Sequence, residues 1–208
     1  MNYALIDESG RLSDPRDPVF VLAMIVAFEL PSLARIIPSA RRGIPSKGKS
    51  KKERSLAEIK FSVVGDGTKE RVLLRLSKAP VEIYALIITK EGRSIADTPE
   101  HMALLAARLV RYVRDPSVRP THLLIDRHFT SVSQRAAFDT CLEASLKRPV
   151  FIEHLDSQQH SIMCLPDFVA GAVRVAVARG DTRWYDILKE RIAGEEYVSW
   201  RRLRQQLK

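Results

Sequence analysis

Cysteine is scarce. Cys141 and Cys164 are the only two among 208 residues, too few for a disulfide framework and not in a C-x-x-C spacing. A disulfide-stapled scaffold is thereby excluded, two core thiols are expected, and a reducing cytoplasm is the expected location. Long apolar runs are absent as well. The longest, residues 19–28, covers ten positions, against the roughly 20 that a membrane-spanning helix needs. It follows Asp7, Glu8, Asp14 and Asp17, where an export signal would need basic residues. Neither a membrane segment nor export is expected. Gly-x-Gly-x-x-Gly and P-loop patterns are missing, so nothing argues for a nucleotide cofactor. Without a Gly-x-Ser-x-Gly elbow or an ordered triad there is no case for a serine hydrolase. No repeat or sustained heptad occurs, and the Asp-x-Asp spacing of aspartyl phosphatases is not found at Asp7.

The composition that is present, 45% hydrophobic and 28% charged, is that of a folded globular chain and excludes overall disorder. The length fits one domain with an insertion and a tail. Lys and Arg exceed Asp and Glu, giving a formal net charge of +9. Such an excess favours polyanionic partners, nucleic acid above all, although solubility alone is a second reading. Much of it lies in residues 41–54, where Arg41, Arg42, Lys47, Lys49, Lys51, Lys52 and Arg54 face the single acid Glu53. With Ile44 as its only large apolar residue, this stretch is expected to be an exposed loop inserted at 38–56. It either grips phosphates or is simply solvated.

The order of elements points to a mixed sheet with helices packed on it. Residues 3–7 and 19–28 read as two strands of an opening hairpin. Residues 81–89 read as a largely buried strand. Pro99, after Thr98, opens a helix to about 114, and its apolar residues recur at helical spacing. A strand at 121–126 stops at an aspartate. A helix capped by Ser131 or Ser133 and a strand at 149–155 follow. From Pro166 a further helix is apolar nearly all round, hence buried. The tail from Asp181 reads as helical and basic, a C-terminal extension at 181–208.

Acids stand where apolar runs end. Asp7 closes the first strand, Asp126 closes a later one, and Asp167 lies in the first turn of the buried helix. Glu58 follows the basic stretch, between apolar neighbours. A core rejects such groups unless they are paired or bind cations. Each has a plain reading: Asp7 starts a turn, Asp126 pairs with Arg127 or a neighbour, Asp167 complements the helix dipole, and Glu58 pairs with Arg54. Taken together these readings fit less well, because adjacent parallel strands would bring Asp7 and Asp126 side by side, where two carboxylates repel unless a divalent cation lies between them.

Asp7-Glu8-Ser9-Gly10, Glu58-Ile59-Lys60, Ile125-Asp126-Arg127 and Asp156-Ser157, followed by Leu165-Pro166-Asp167-Phe168-Val169-Ala170-Gly171, together resemble the bacterial and phage family called domain of unknown function 3800, regarded as ribonuclease H-like. The resemblance runs over residues 3–179 in order. It implies an α/β ribonuclease H-like domain over 1–180, with Asp7, Glu58, Asp126 and Asp167 holding two Mg²⁺ or Mn²⁺ ions. The activity it implies is a metal-dependent nuclease. In that picture Asp7 would bridge both ions, Asp126 and Glu58 would hold the ion on the leaving side, and Asp167 the ion that carries the attacking water. Two metal ions suit phosphodiester cleavage because one activates water while the other stabilises the leaving oxygen. Carboxylates suit such hard cations better than His or Cys. The alternative is a module that keeps the fold and binds nucleic acid or protein without turnover. RNA, DNA and hybrid substrates are not distinguished.

Two more residues join the candidates. Lys60 either contacts the scissile phosphate or pairs with Glu58. His160, in a polar loop before the last helix, either shuttles a proton or is an ordinary exposed histidine. His154, His160 and Cys164 have a loose zinc-like order that fits no common structural site.

Overall fold

The computed structural model describes residues 2–42 and 59–205, the side chain of Arg204 excepted. Six strands form one mixed sheet in the order β5-β4-β1-β2-β3-β6. They are β1 (Tyr3–Ser9), β2 (Val19–Ala27), β3 (Val81–Thr89), β4 (His122–Asp126), β5 (Phe151–Leu155) and β6 (Ile192–Ser199). β1 and β2 form the expected antiparallel hairpin, and β3 continues it antiparallel to β2. β4 runs parallel to β1, and β5 parallel to β4. All nine residues of β2 are buried, as a strand must be when helices cover both its faces.

The described helices are α1 (Pro31–Ala34), α2 (Ile36–Arg42), α3 (Asp66–Ser77), α4 (Pro99–Tyr112), α5 (Val132–Leu146), α6 (Cys164–Arg179), α7 (Arg183–Leu188) and α8 (Trp200–Gln205). α4 starts as its sequence dictates: the Thr98 hydroxyl accepts from the His101 N–H at 3.3 Å, and Pro99 sits where no intrahelical donor is needed. One face of the sheet packs α6 against β1 and β2, with α3 and α7 beside it. Leu5, Val21, Ile25, Phe168, Val169 and Val173 belong to that core. The other face packs α4 and α5, with Ile6, Leu22, Met24, Leu105, Phe138 and Leu142 between. Period-two alternation along β1 therefore sends Leu5 and Asp7 to the α6 face, and Ile6 and Glu8 to the α4–α5 face.

Ser161–Arg179, a 3₁₀ turn leading into α6, is long and apolar enough to cross a bilayer by length and composition. Its packing on β1 and β2 accounts for that character. Pro166 lies inside the first turn of α6 and not at its start, a place where a missing N–H still leaves no ladder bond unmade. α6 ends at Gly180, whose φ of 70° is left-handed.

Three expectations need correction. The tail is not helical throughout, because 192–199 form β6, which pairs parallel with β3 as a sixth strand of the same sheet. Arg41 and Arg42 do not belong to an exposed loop: they form the last turn of α2, Arg41 half-buried and Arg42 exposed. Cys164 is buried as expected, but Cys141 is only partly so. Lys47, Lys49, Lys51, Lys52, Arg54 and Glu58 lie outside the described residues.

Candidate active site

β1 and β4 are adjacent and parallel, with Leu5 opposite Leu124 and Ile6 opposite Ile125. The next step along each strand is an aspartate. Asp7 and Asp126 therefore stand side by side at the C-terminal ends of two neighbouring strands, on the face that α6 covers. The first turn of α6 adds Asp167. Asp7 is 9% exposed, and its carboxyl is held well above the ordinary carboxylate range. Burial is the largest cause, and the charges of Glu8, Asp126 and Asp167 add to it. The Glu8 N–H donates to Asp7 Oδ1 at 2.7 Å and offsets this in part. Three carboxylates gathered in a poorly solvated place repel one another, and only a proton or a cation relieves them.

Asp167 is half-buried, and its Oδ2 accepts the Phe61 N–H at 2.7 Å across 106 positions of chain. Arg127 ion-pairs with Asp156. Among the described residues, no three His, Cys, Asp or Glu side chains stand at ready metal-ligand spacing. The fourth acid, Glu58, is outside them, one position before buried Ile59. Lys60 is exposed between Ile59 and Phe61, which are 4% and 5% exposed, and its carbonyl accepts from the Val63 and Val64 N–H groups. His160 is exposed on the loop between β5 and α6, its N–H bonded to the Asp156 carbonyl. The zinc-like order is not assembled, since His154 Nε2 bonds Asp139 Oδ1 at 2.7 Å on α5 and Cys164 Sγ faces the Ser157 carbonyl.

The loop that follows the first acid is held firmly. Gly10 has φ +105°, and a Cβ there would lie 2.7 Å from the Val19 carbonyl oxygen, so only glycine fits. Asp17 accepts the Arg11 N–H at 2.8 Å and ion-pairs with Arg174 of α6. Lys90 is fully buried, and its ammonium donates to the Arg11 and Asp14 carbonyls. Burial lowers its pKa, while Asp17 and Asp14 oppose the shift.

On the opposite face, three residues meet that sequence reasoning did not connect. His128 Nδ1 lies 2.7 Å from Glu8 Oε1, and its Nε2 lies 2.8 Å from Asp97 Oδ1. The hydrogen bonds to Asp97 and Glu8 push the imidazole up to about 10, against the cost of its burial. The ring is therefore a cation at neutral pH, and it ties the end of β1 to the residues after β4 and to the loop before α4. The only signal in the sequence was strand alternation, which turns Glu8 away from Asp7.

The sequence matches no family model and no curated protein sequence. Solved structures do match. Ribonuclease H2 from Pyrococcus horikoshii OT3 superposes with a TM-score of 0.53 at 16% identity, over 88% of this chain and 77% of that one. The RNase HII of the PCNA:RNase HII complex from Archaeoglobus fulgidus superposes with a TM-score of 0.56, also at 16% identity, over 92% and 80%. Likeness at that identity speaks for architecture alone, and the architecture is plain: a six-stranded mixed sheet flanked by helices, in a ribonuclease H-like fold.

Proposed function

We propose that this chain is a divalent-metal-dependent nuclease that hydrolyses phosphodiester bonds at the Asp7–Asp126–Asp167 edge of the sheet. One observation supports this most: the Asp7 carboxyl is forced above its ordinary range by burial and by the charges of Glu8, Asp126 and Asp167. A fold that gathers such groups at strand ends gains nothing in stability from them. An all-carboxylate donor set suits Mg²⁺ or Mn²⁺. Asp7, Asp126 and Asp167 would hold the metal, with Glu58 as fourth ligand on the strength of the resemblance to domain of unknown function 3800. Bound there, divalent ions supply an activated water and stabilise the leaving oxygen. Lys60, exposed beside the Phe61 contact to Asp167, would meet a phosphate. The formal charge of +9 favours a nucleic-acid partner, and the ribonuclease H2 neighbours make RNA-containing duplexes the first substrates to try.

The test is cleavage of labelled RNA, DNA and RNA–DNA hybrid with Mn²⁺ and with EDTA. The wild-type chain should cut at least one of them with Mn²⁺ only, while Asp7→Asn and Asp126→Asn should fold and fail to cut. Calorimetric titration with Mn²⁺ should show binding that Asp126→Asn weakens. Cleavage that persists in EDTA, or variants as fast as wild type, would overturn the assignment.

A further inference from the structure

Phe61 is attached to α6 at two successive turns of that helix. Its N–H bonds Asp167 Oδ2 at 2.7 Å. Its ring lies against Gly171, four residues further along the same helical face. A Cβ at Gly171 would come within 2.4 Å of Phe61 Cδ1, 2.5 Å of Cγ and 2.9 Å of Cβ. The ring also meets the edges of Phe168 and Trp184 at centroid distances of 5.9 and 6.4 Å. Gly171 has no left-handed φ that would require glycine, and glycine inside a helix is less favourable than alanine. The absence of a side chain there is explained by the Phe61 ring, which occupies the space a Cβ would need.

That space has a consequence one turn away. A carboxylate in the first turn of a helix, as Asp167 is, can rotate about two side-chain bonds. Seating the Phe61 ring on Gly171 brings a backbone N–H onto Asp167 Oδ2 and so fixes the direction of the carboxyl group. We propose that Phe61 and Gly171 are positioning residues: the ring-on-glycine contact holds the Phe61 N–H against Asp167 and orients that carboxylate for a divalent cation. The role of Asp167 in holding metal rests on the function proposed above, whereas the contact itself does not.

The competing reading is that Phe61 is core packing and nothing more. Gly171→Ala separates the two. In the full-length chain we expect Gly171→Ala to speed hydrogen exchange at the Phe61 amide by about tenfold and to weaken Mn²⁺ binding about tenfold, the effect of losing one charge-assisted hydrogen bond. Core packing alone would lower the melting temperature and leave exchange at residue 61 and Mn²⁺ affinity per folded molecule unchanged, which would overturn the proposal. Should Gly171→Ala not fold, Phe61→Ala removes the seated ring while keeping the N–H, and must produce the same two losses for the proposal to stand. If the exchange results come out as expected but the wild-type chain binds no Mn²⁺, the contact stands, its role toward a cation is overturned, and the nuclease reading falls with it.

Discussion

Gly194→Ala tests whether β6 is an integral strand of the sheet. Gly194 pairs with Tyr84 of β3, next to a register shift. A Cβ there would lie 2.4 Å from Tyr112 Cε1 and 3.2 Å from Tyr84 Cδ1. Ordinary contact begins near 3.4 Å, so the Tyr112 ring must retreat by about 1 Å. It is anchored on both sides: its hydroxyl donates to the Glu195 carbonyl at 2.9 Å, and its ring meets Tyr84 edge-on at 6.4 Å. Losing the hydrogen bond costs about 1 kcal/mol, and losing the ring contact about 0.5–1.5 kcal/mol. The smaller entropy of the unfolded alanine chain returns about 0.4–1 kcal/mol. The net loss is roughly 0.5–2 kcal/mol, or about 1–8 °C in melting temperature for a chain of this length. Differential scanning calorimetry on Gly194→Ala, Tyr112→Ala and the double variant measures it. Without that ring only the milder 3.2 Å approach to Tyr84 Cδ1 remains, so the glycine substitution should cost much less in the Tyr112→Ala background. An unchanged melting temperature, or costs that simply add, refutes the steric account.

Two further outcomes follow from charge. Because the folded state holds the Asp7 proton more tightly than an ordinary aspartate, whose value is 3.8, its ionisation costs stability as pH rises above that value. Asp7→Asn should therefore melt higher than wild type at neutral pH without added metal, with the gap closing toward about pH 4; a lower melting point at pH 7 would sink this. His128 shifts the other way: raised from 6.5 to about 10, it gives stability that is fully present below the lower value and lost as pH rises through the upper one. The deficit of His128→Gln should be widest near pH 6 and small beyond pH 10, and equal deficits at both ends would show that the ring is neutral.

The front of the site was legible because apolar runs stop at acids. The stretch 121–126 ends at Asp126 as the first strand ends near Asp7, and parallel pairing does the rest. The Phe61–Asp167 contact was not legible: a backbone N–H has no sequence signature, and 106 positions separate the partners. The same holds for His128, 120 positions from Glu8 and 31 from Asp97. β6 was hidden by its place at the sheet edge, where Glu195, Glu196 and Tyr197 stay partly exposed and dilute the strand pattern. Its anchors are tertiary, above all the ion pair of Glu196 with Arg108 on α4 at 2.6 Å. α3 drew no expectation although Val72, Leu73 and Leu76 are all buried, since four apolar positions within five residues, Leu74 exposed among them, make a weak helical stripe.

Asp7 and Glu8, adjacent in sequence, act against each other across the sheet. On the α6 face Asp7 and Asp126 repel, a force that pushes the ends of β1 and β4 apart. On the other face Glu8 is joined to His128, two residues beyond Asp126, at 2.7 Å, which draws the same two chain ends together. Glu8→Gln removes that attraction but also removes one of the charges that raise the Asp7 carboxyl. The direct hydrogen bond should prevail, because charge-assisted bonds are the stronger kind and the Glu8 N–H bond to Asp7 is a backbone bond that the substitution leaves in place. The expected loss at pH 7 is about 1 kcal/mol, with His128 still held by Asp97. In an Asp7→Asn background there is no Asp7 charge for the loss of Glu8 to relieve, so the same substitution should cost measurably more. A double-mutant cycle in urea reads the difference directly. Strict additivity would mean that the two faces are independent and that the charge of Glu8 is not felt at Asp7.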